Sequence, residues 1–168
     1  MNKDMAKICG NGADFALVKQ ERSRTIVGYE LKQIEGSELS EWHDVYFPRK
    51  VTDLPSIEQV REAVEADINA QVKSQIIGGF VWNGKPVWLS EENQMNFALA
   101  VVPVTLKIGE QADGSPIYET FTTASDMKAF SDACTQWKQQ QLSAGWDRKD
   151  AIDWDLYAAA IDALKPRE

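Results

Sequence analysis

A chain that remakes bonds needs a nucleophile or metal, a base within reach, and a group that orients that base. This sequence holds one histidine, His43, and two cysteines, Cys9 and Cys134. Asp44 adjoins His43, but consecutive side chains on a strand take opposite faces, so it cannot orient the imidazole. His43 is expected to be an outward strand residue. The cysteines are 125 positions apart with no C-x-x-C spacing. They are expected as reduced, mostly buried thiols, and a disulfide between them is left open. Asp150, Asp153 and Asp155 are a candidate carboxylate site. Asp150 and Asp153 would share a face of a helix, and paired carboxylates do acid–base or metal chemistry when a cleft raises one pKa. Carboxylates in the first turn of a helix are also what its dipole favours, and that structural role is the expectation. Glu110, Asp113 and Glu119 lack the alternating ligands of a calcium loop, so no metal is expected there. Gly10-Asn11-Gly12 is a lone G-x-G without a preceding strand, and reads as a turn. The sequence contains no G-x-S-x-G, H-E-x-x-H or Walker loop. A non-catalytic protein without cofactor is expected, with a cryptic hydrolase built on His43, Asp150 or Asp153 as the enzymatic alternative.

The 168 residues carry a net charge of −8, distributed as −1 over residues 1–55, −2 over 56–78 and −5 over 79–168. Phosphate binding needs clustered Lys and Arg, so a nucleic-acid partner is not expected. The longest apolar run, residues 97–104, is far shorter than a membrane span, and the first twelve residues lack a signal-peptide core. The expectation is a protein made in the cytoplasm, with no membrane partner. Six tryptophans are the compositional oddity. Most large aromatics are core anchors, and exposed binding platforms are the minority use.

The elements that would position these residues read as α+β. Residues 1–12 suggest a flexible arm, and 13–54 an N-terminal antiparallel three-stranded meander. Its strands contain Phe15, Leu17 and Lys19, then residues 25–34, then 41–47. Residues 49–54 form a linker. Residues 55–78 make a long connecting helix, opened by a capping box of Ser56 with Gln59 and stopped at Gly78-Gly79. Its stripe of Ile57, Val60, Val64, Ile68, Val72 and Ile76 is usually core-facing, and is the candidate interaction helix if it is not. Residues 79–168 alternate two hairpins with three helices. The first hairpin turns at Asn83-Gly84, with Trp82 and Trp88 as cross-strand neighbours if the register is right, and as the candidate binding platform. Ser90 caps the next helix, with Met95, Leu99 and Val102 as its stripe, widened by Phe97 and Val101, and Pro103 as its end. The second hairpin pairs 104–108 with 117–121 around Asp113-Gly114. A helix capped by Ser125 follows, carrying Met127, Phe130, Cys134, Trp137 and Leu142, and Gly145 closes it. The last helix runs from Trp146 to Lys165-Pro166, with Ile152, Leu156, Ala160 and Leu164 inward.

Three stretches carry a family resemblance: residues 42–47 (WHDVYF), the helix from Ser56, and residues 79–90 (GFVWNGKPVWLS). Over roughly residues 40–155 the chain resembles small proteins of phage and prophage tail modules of gut Bacteroides and relatives, under the family label domain of unknown function 4376. The shared motifs are structural, so no functional residues carry over. The resemblance implies a tail-fibre, baseplate or assembly-helper protein that is virion-associated or released by lysis, self-associating or bound to other tail proteins. A second class of function is a carbohydrate- or peptide-binding module that uses exposed Trp82 and Trp88, with a surface glycan as ligand.

Overall fold

The computed structural model describes residues 7–9, 17–36, 40–48 and 54–165. The expected turn at Gly10–Gly12, the strand position Phe15, linker residues 49–53 and the terminating Pro166 lie outside them. The fold is α+β and follows the expected order: a three-stranded meander, a long helix, then two hairpins alternating with three helices. The chain divides into two compact units, Met1–Ile68 with Arg148–Glu168, and Asn69–Asp147. These limits differ from the sequence boundaries at 12, 54 and 78, because two helices contribute to both units.

In the first unit, β2 (Val18–Gln20), β3 (Arg24–Gln33) and β4 (Ser40–Pro48) form the meander. A fourth strand, β1 (Lys7–Cys9), pairs antiparallel with the free edge of β4, inside the stretch read as an arm. The sheet order is β1-β4-β3-β2. On β3, Thr25, Val27 and Tyr29 take the packed face by simple alternation. The register then shifts between Tyr29 and Lys32, where Glu30 adopts φ 54°, a bulge that re-aims its side chain. Helix α1 (Ile57–Gly78) begins with the reciprocal capping box: Gln59 N donates to Ser56 Oγ at 3.3 Å, and Ser56 N to Gln59 Oε1 at 2.9 Å. Its residues Val60, Val64 and Ile68 are fully buried. Tyr29 donates its hydroxyl to Asp67 on α1 at 2.6 Å. Tyr157 on α4 (Trp154–Ala163) donates to the Gly28 carbonyl at 3.0 Å, so both helices are tied to the sheet.

The second unit contains the end of α1, the hairpin β5 (Phe80–Trp82) with β6 (Lys85–Val87), α2 (Glu91–Ala98), the hairpin β7 (Val104–Glu110) with β8 (Pro116–Phe121), and α3 (Ala124–Asp150) as far as Asp147. Asn83 at φ 48° and Gly84 at φ 76° make the expected two-residue turn with both residues left-handed. Gly84 has open space around it, so only backbone strain opposes a side chain there. Gly84→Val is expected to cost at least ~1 kcal/mol, read as a lowered unfolding midpoint, because a β-branched residue resists positive φ. An unchanged midpoint would make this hairpin peripheral to stability. The two hairpins meet edge to edge: Trp88 N donates to the Ile108 carbonyl at 2.8 Å, and Gly109 lies against Pro86. The core centres on Phe130 of α3, fully buried against Trp82, Phe97 and Phe121 with ring centroids 5.4, 5.1 and 5.0 Å away.

Several helix assignments change. α2 ends at Ala98, not Pro103, and only Phe97 of its expected stripe is buried. α3 runs through Gly145, which is no stop: a Cβ there would sit 2.7 Å from Val72 Cγ2, so glycine permits α1 and α3 to pack closely. Thr123 rather than Ser125 caps α3, accepting from Asp126 N at 3.1 Å. α4 begins only at Trp154, and buries Tyr157 and Ile161 while Leu156 is exposed. The fully buried pair thus lies one position on from the expected Leu156 and Ala160, while Ile152, Ala160 and Leu164 are partly buried.

Candidate functional site

The two-residue turn fixes where the tryptophans go. It pairs Trp82 with Lys85, Val81 with Pro86 and Phe80 with Val87, so Trp88 falls beyond Trp82's register and on the other face. Trp82 packs edge-on against Phe130 in the core. Trp88 is 45 % exposed, on the face that also carries Val81 and Pro86. The pair is not a two-tryptophan platform: one ring is structural and one is available. Pro86 tolerates the strand because its pairing with Val81 is of the type that exchanges no hydrogen bonds. On the second hairpin, Tyr118 is exposed opposite Lys107.

The α1 stripe, expected to face the core and offered as an interaction helix if it did not, is buried in the chain's own interior. Val60, Val64, Ile68, Val72 and Ile76 are all buried, and only Ile57 is partly open. The exposed apolar side chains lie elsewhere. Met95 at 65 %, Leu99 at 73 % and Val101 at 81 % project from the short helix α2 and the segment after it. Their inward reading assumed a helix up to Pro103. The helix instead ends at Ala98, so Leu99 and Val101 fall beyond it, and Met95 lies on its outer face.

Between α2 and α3 lies a cleft of about 490 Å³. Leu89, Phe97 and Leu142 give it apolar walls, and Ala98 and Ser131 are too small to fill it. Lys138 on α3 donates to Gln94 Oε1 on α2 at 3.0 Å, and Gln94 Nε2 donates to the Leu89 carbonyl at 2.7 Å. No local pattern marks this cleft, since its lining is scattered over two helices and the segment before α2.

The candidate chemical residues disperse. His43 is half-buried, not outward: it stacks on Tyr29 at 5.4 Å, with Nε2 3.9 Å from Glu30. Glu30 accepts two hydrogen bonds from Arg148 at 2.7 Å each, a bidentate pair that holds the bulge. The guanidinium is pushed above its usual value chiefly by the hydrogen bonds it donates to Glu30. Asp150 ends α3, while Asp153 caps α4 by accepting from Asp155 N at 3.1 Å. Asp150 and Asp153 therefore do not share a helix. Glu110 pairs with Lys107 and Glu119 with Lys85, and Asp113 accepts from both Ser115 N and Ser115 Oγ, a turn that lowers its pKa. Each carboxylate of the second hairpin thus has a local structural partner. Among the described residues, no group of three or more His, Cys, Asp or Glu could hold a metal ion.

Cys134 is a free thiol beside the cleft, and burial pushes it up to about 12. Burial, with the Glu30 carboxylate as a lesser cause, pushes the Tyr157 phenol to about 12 as well. At pH 8, alkylation of Cys134 is therefore expected to run about a thousandfold slower in the native protein than in denatured chains, because the thiolate is the reactive form. Equal rates would contradict this placement. Both folded values lie above the unfolded ones of about 8.5 and 10. Their contribution to stability is complete below those values and is lost as pH rises towards 12, so the melting temperature should fall across that window.

No helix of the described residues is long and apolar enough to cross a membrane. Neither a curated protein nor a solved structure matches this chain. A family model does, described as domain of unknown function (DUF4376), over residues 59–165. That span takes in most of α1, both hairpins, α2, α3 and α4, and the chain belongs to this family of domains of unknown function.

Proposed function

We propose that this chain is a non-catalytic structural or assembly protein that self-associates through its second unit, and that its setting is a phage or prophage tail. The assembly reading is carried by one observation. Of the exposed large hydrophobic residues among those described, Val81, Trp88, Met95, Leu99, Val101, Tyr118 and Trp146 belong to the second unit, against Leu31, Tyr46 and Leu156 in the first. Exposed apolar surface concentrated in one unit is what an interface between copies uses, and symmetric association is the usual route. The tail setting rests on the sequence resemblance alone. In this reading the protein has no cofactor and no nucleic-acid or membrane partner. It is made in the cytoplasm and becomes part of a virion or is released by lysis.

Light scattering from micromolar to millimolar concentration tests the association. The apparent mass of the wild type should rise with concentration. The triple variant Met95→Glu, Leu99→Glu, Val101→Glu should stay monomeric with a melting temperature close to wild type, since these positions are largely solvated. A wild type that remains monomeric throughout overturns the reading. Tail-fibre and lysis genes beside the coding sequence are the expected genomic setting, and a neighbourhood free of phage genes would remove it.

The exposure of Trp88 favours a second reading, a glycan- or peptide-binding module with a single stacking ring. A glycan panel should then quench an emission component that Trp88→Ala removes. Unresponsive emission across the panel would retire this alternative.

A further inference from the structure

We infer that the cleft between α2 and α3 is a binding site for a straight-chain aliphatic carboxylate, with the chain along the apolar walls and the carboxylate at Lys138. The inference is independent of self-association through Met95, Leu99 and Val101.

Three observations carry it. The volume of about 490 Å³ falls within the ~300–1,000 Å³ range of small-ligand sites, which are mostly apolar with a few placed polar groups. The cleft is built that way: Leu89, Phe97 and Leu142 present hydrocarbon, and the polar groups are a cation, amides, hydroxyls and the Cys134 thiol. The charge is the more telling feature. The protein carries a net −8, yet no Asp or Glu lines this cleft. Lys138 has no carboxylate partner among the described residues; its ammonium donates to the neutral oxygen of Gln94. By contrast Lys19, Lys73, Lys85, Lys107, Lys128 and Lys165 each lie beside a carboxylate. A cation held at the mouth of an apolar cleft by an uncharged acceptor is complementary to a ligand that is hydrocarbon along its length and anionic at one end.

The chemistry also excludes alternatives. A phosphate or a polyanion would leave the apolar walls wet and meet a single cation. A neutral hydrocarbon would bury the walls but leave Lys138 unused. A sugar would place hydroxyls against Leu89, Phe97 and Leu142 without partners.

Calorimetric titration of the full chain with sodium decanoate, below its micelle concentration, tests the site. Saturable binding of one molecule per chain is expected. Octanoate should bind about fifteenfold more weakly, about fourfold for each methylene removed from the apolar walls. Lys138→Gln should weaken decanoate at least fivefold and leave 1-decanol within twofold, which separates the charge contact from the hydrocarbon contact. Ala98→Trp, at the exposed edge of the cleft, should abolish both, and its circular dichroism and melting temperature show whether it folds as wild type does. Should Ala98→Trp misfold, the Lys138→Gln comparison decides alone. No saturable binding overturns the site. Binding that ignores chain length, or that Lys138→Gln weakens equally for acid and alcohol, overturns the proposed ligand class.

Discussion

Phe130→Ala is expected to lower the stability of the protein by about 3–5 kcal/mol, the usual cost of removing a fully buried phenylalanine. Phe130 has no exposed surface and touches three aromatic rings from three different elements: Trp82 of β5, Phe97 of α2 and Phe121 of β8. Truncation removes the ring's own burial and leaves those three rings facing a void. The loss is large against the roughly 5–15 kcal/mol that holds a typical domain together. Urea unfolding followed by tryptophan emission measures it, since Trp82 reports directly on the cavity. Phe130→Leu keeps most of the volume, so it should cost less than half as much. A loss below about 1 kcal/mol for the alanine variant would mean that the four-ring cluster is not the core of the second unit.

Gly109→Ala is expected to cost about 2–3 kcal/mol through a different mechanism. An added Cβ would lie 2.3 Å from the Pro86 carbonyl oxygen and 3.2 Å from its carbon. Both are backbone atoms, so no side chain can swing aside and the two hairpins must separate. The hydrogen bond from Trp88 N to Ile108 O, now 2.8 Å, lies next to this contact and should lengthen. Hydrogen exchange at the Trp88 amide should therefore quicken. Gly84→Ala supplies the control: its surroundings are open and its φ is left-handed, so it isolates backbone strain, about 1 kcal/mol. A Gly109→Ala variant no less stable than Gly84→Ala would show that the hairpin edges do not need their close approach.

What was legible in the sequence was legible through local chemistry. Ser56 with Gln59, and Asn83 with Gly84, name their structures because capping and left-handed turns depend on residues three or fewer positions apart. The meander, the long helix and the order of hairpins and helices follow from the same kind of signal. Gly145 shows the limit. A glycine at the end of an apolar pattern reads as a helix stop, but what it serves is contact with Val72, which is 73 positions away. Trp82 and Trp88 were separable in principle, since counting back from a two-residue turn puts them on opposite faces. That count needs the strands to keep pairing past Val87, which the residue types alone do not establish. The stacking of His43 on Tyr29 and the cleft at Lys138 depend on long-range packing. No pattern within one segment encodes them.

The two units also differ in how the chain supplies them. The second is one unbroken stretch, Asn69–Asp147, while the first needs Arg148–Glu168 to join Met1–Ile68. Its fastening contacts span 118 residues from Arg148 to Glu30 and 129 from Tyr157 to Gly28. A chain leaving the ribosome therefore completes the second unit before the first has its last helix, and domains generally fold as their chain becomes available. Once Asn69–Asp147 has folded, a compact body replaces what would have been a long flexible loop, and less closure entropy opposes the final pairing. Folding of Asn69–Asp147 first would thus ease completion of the interrupted unit.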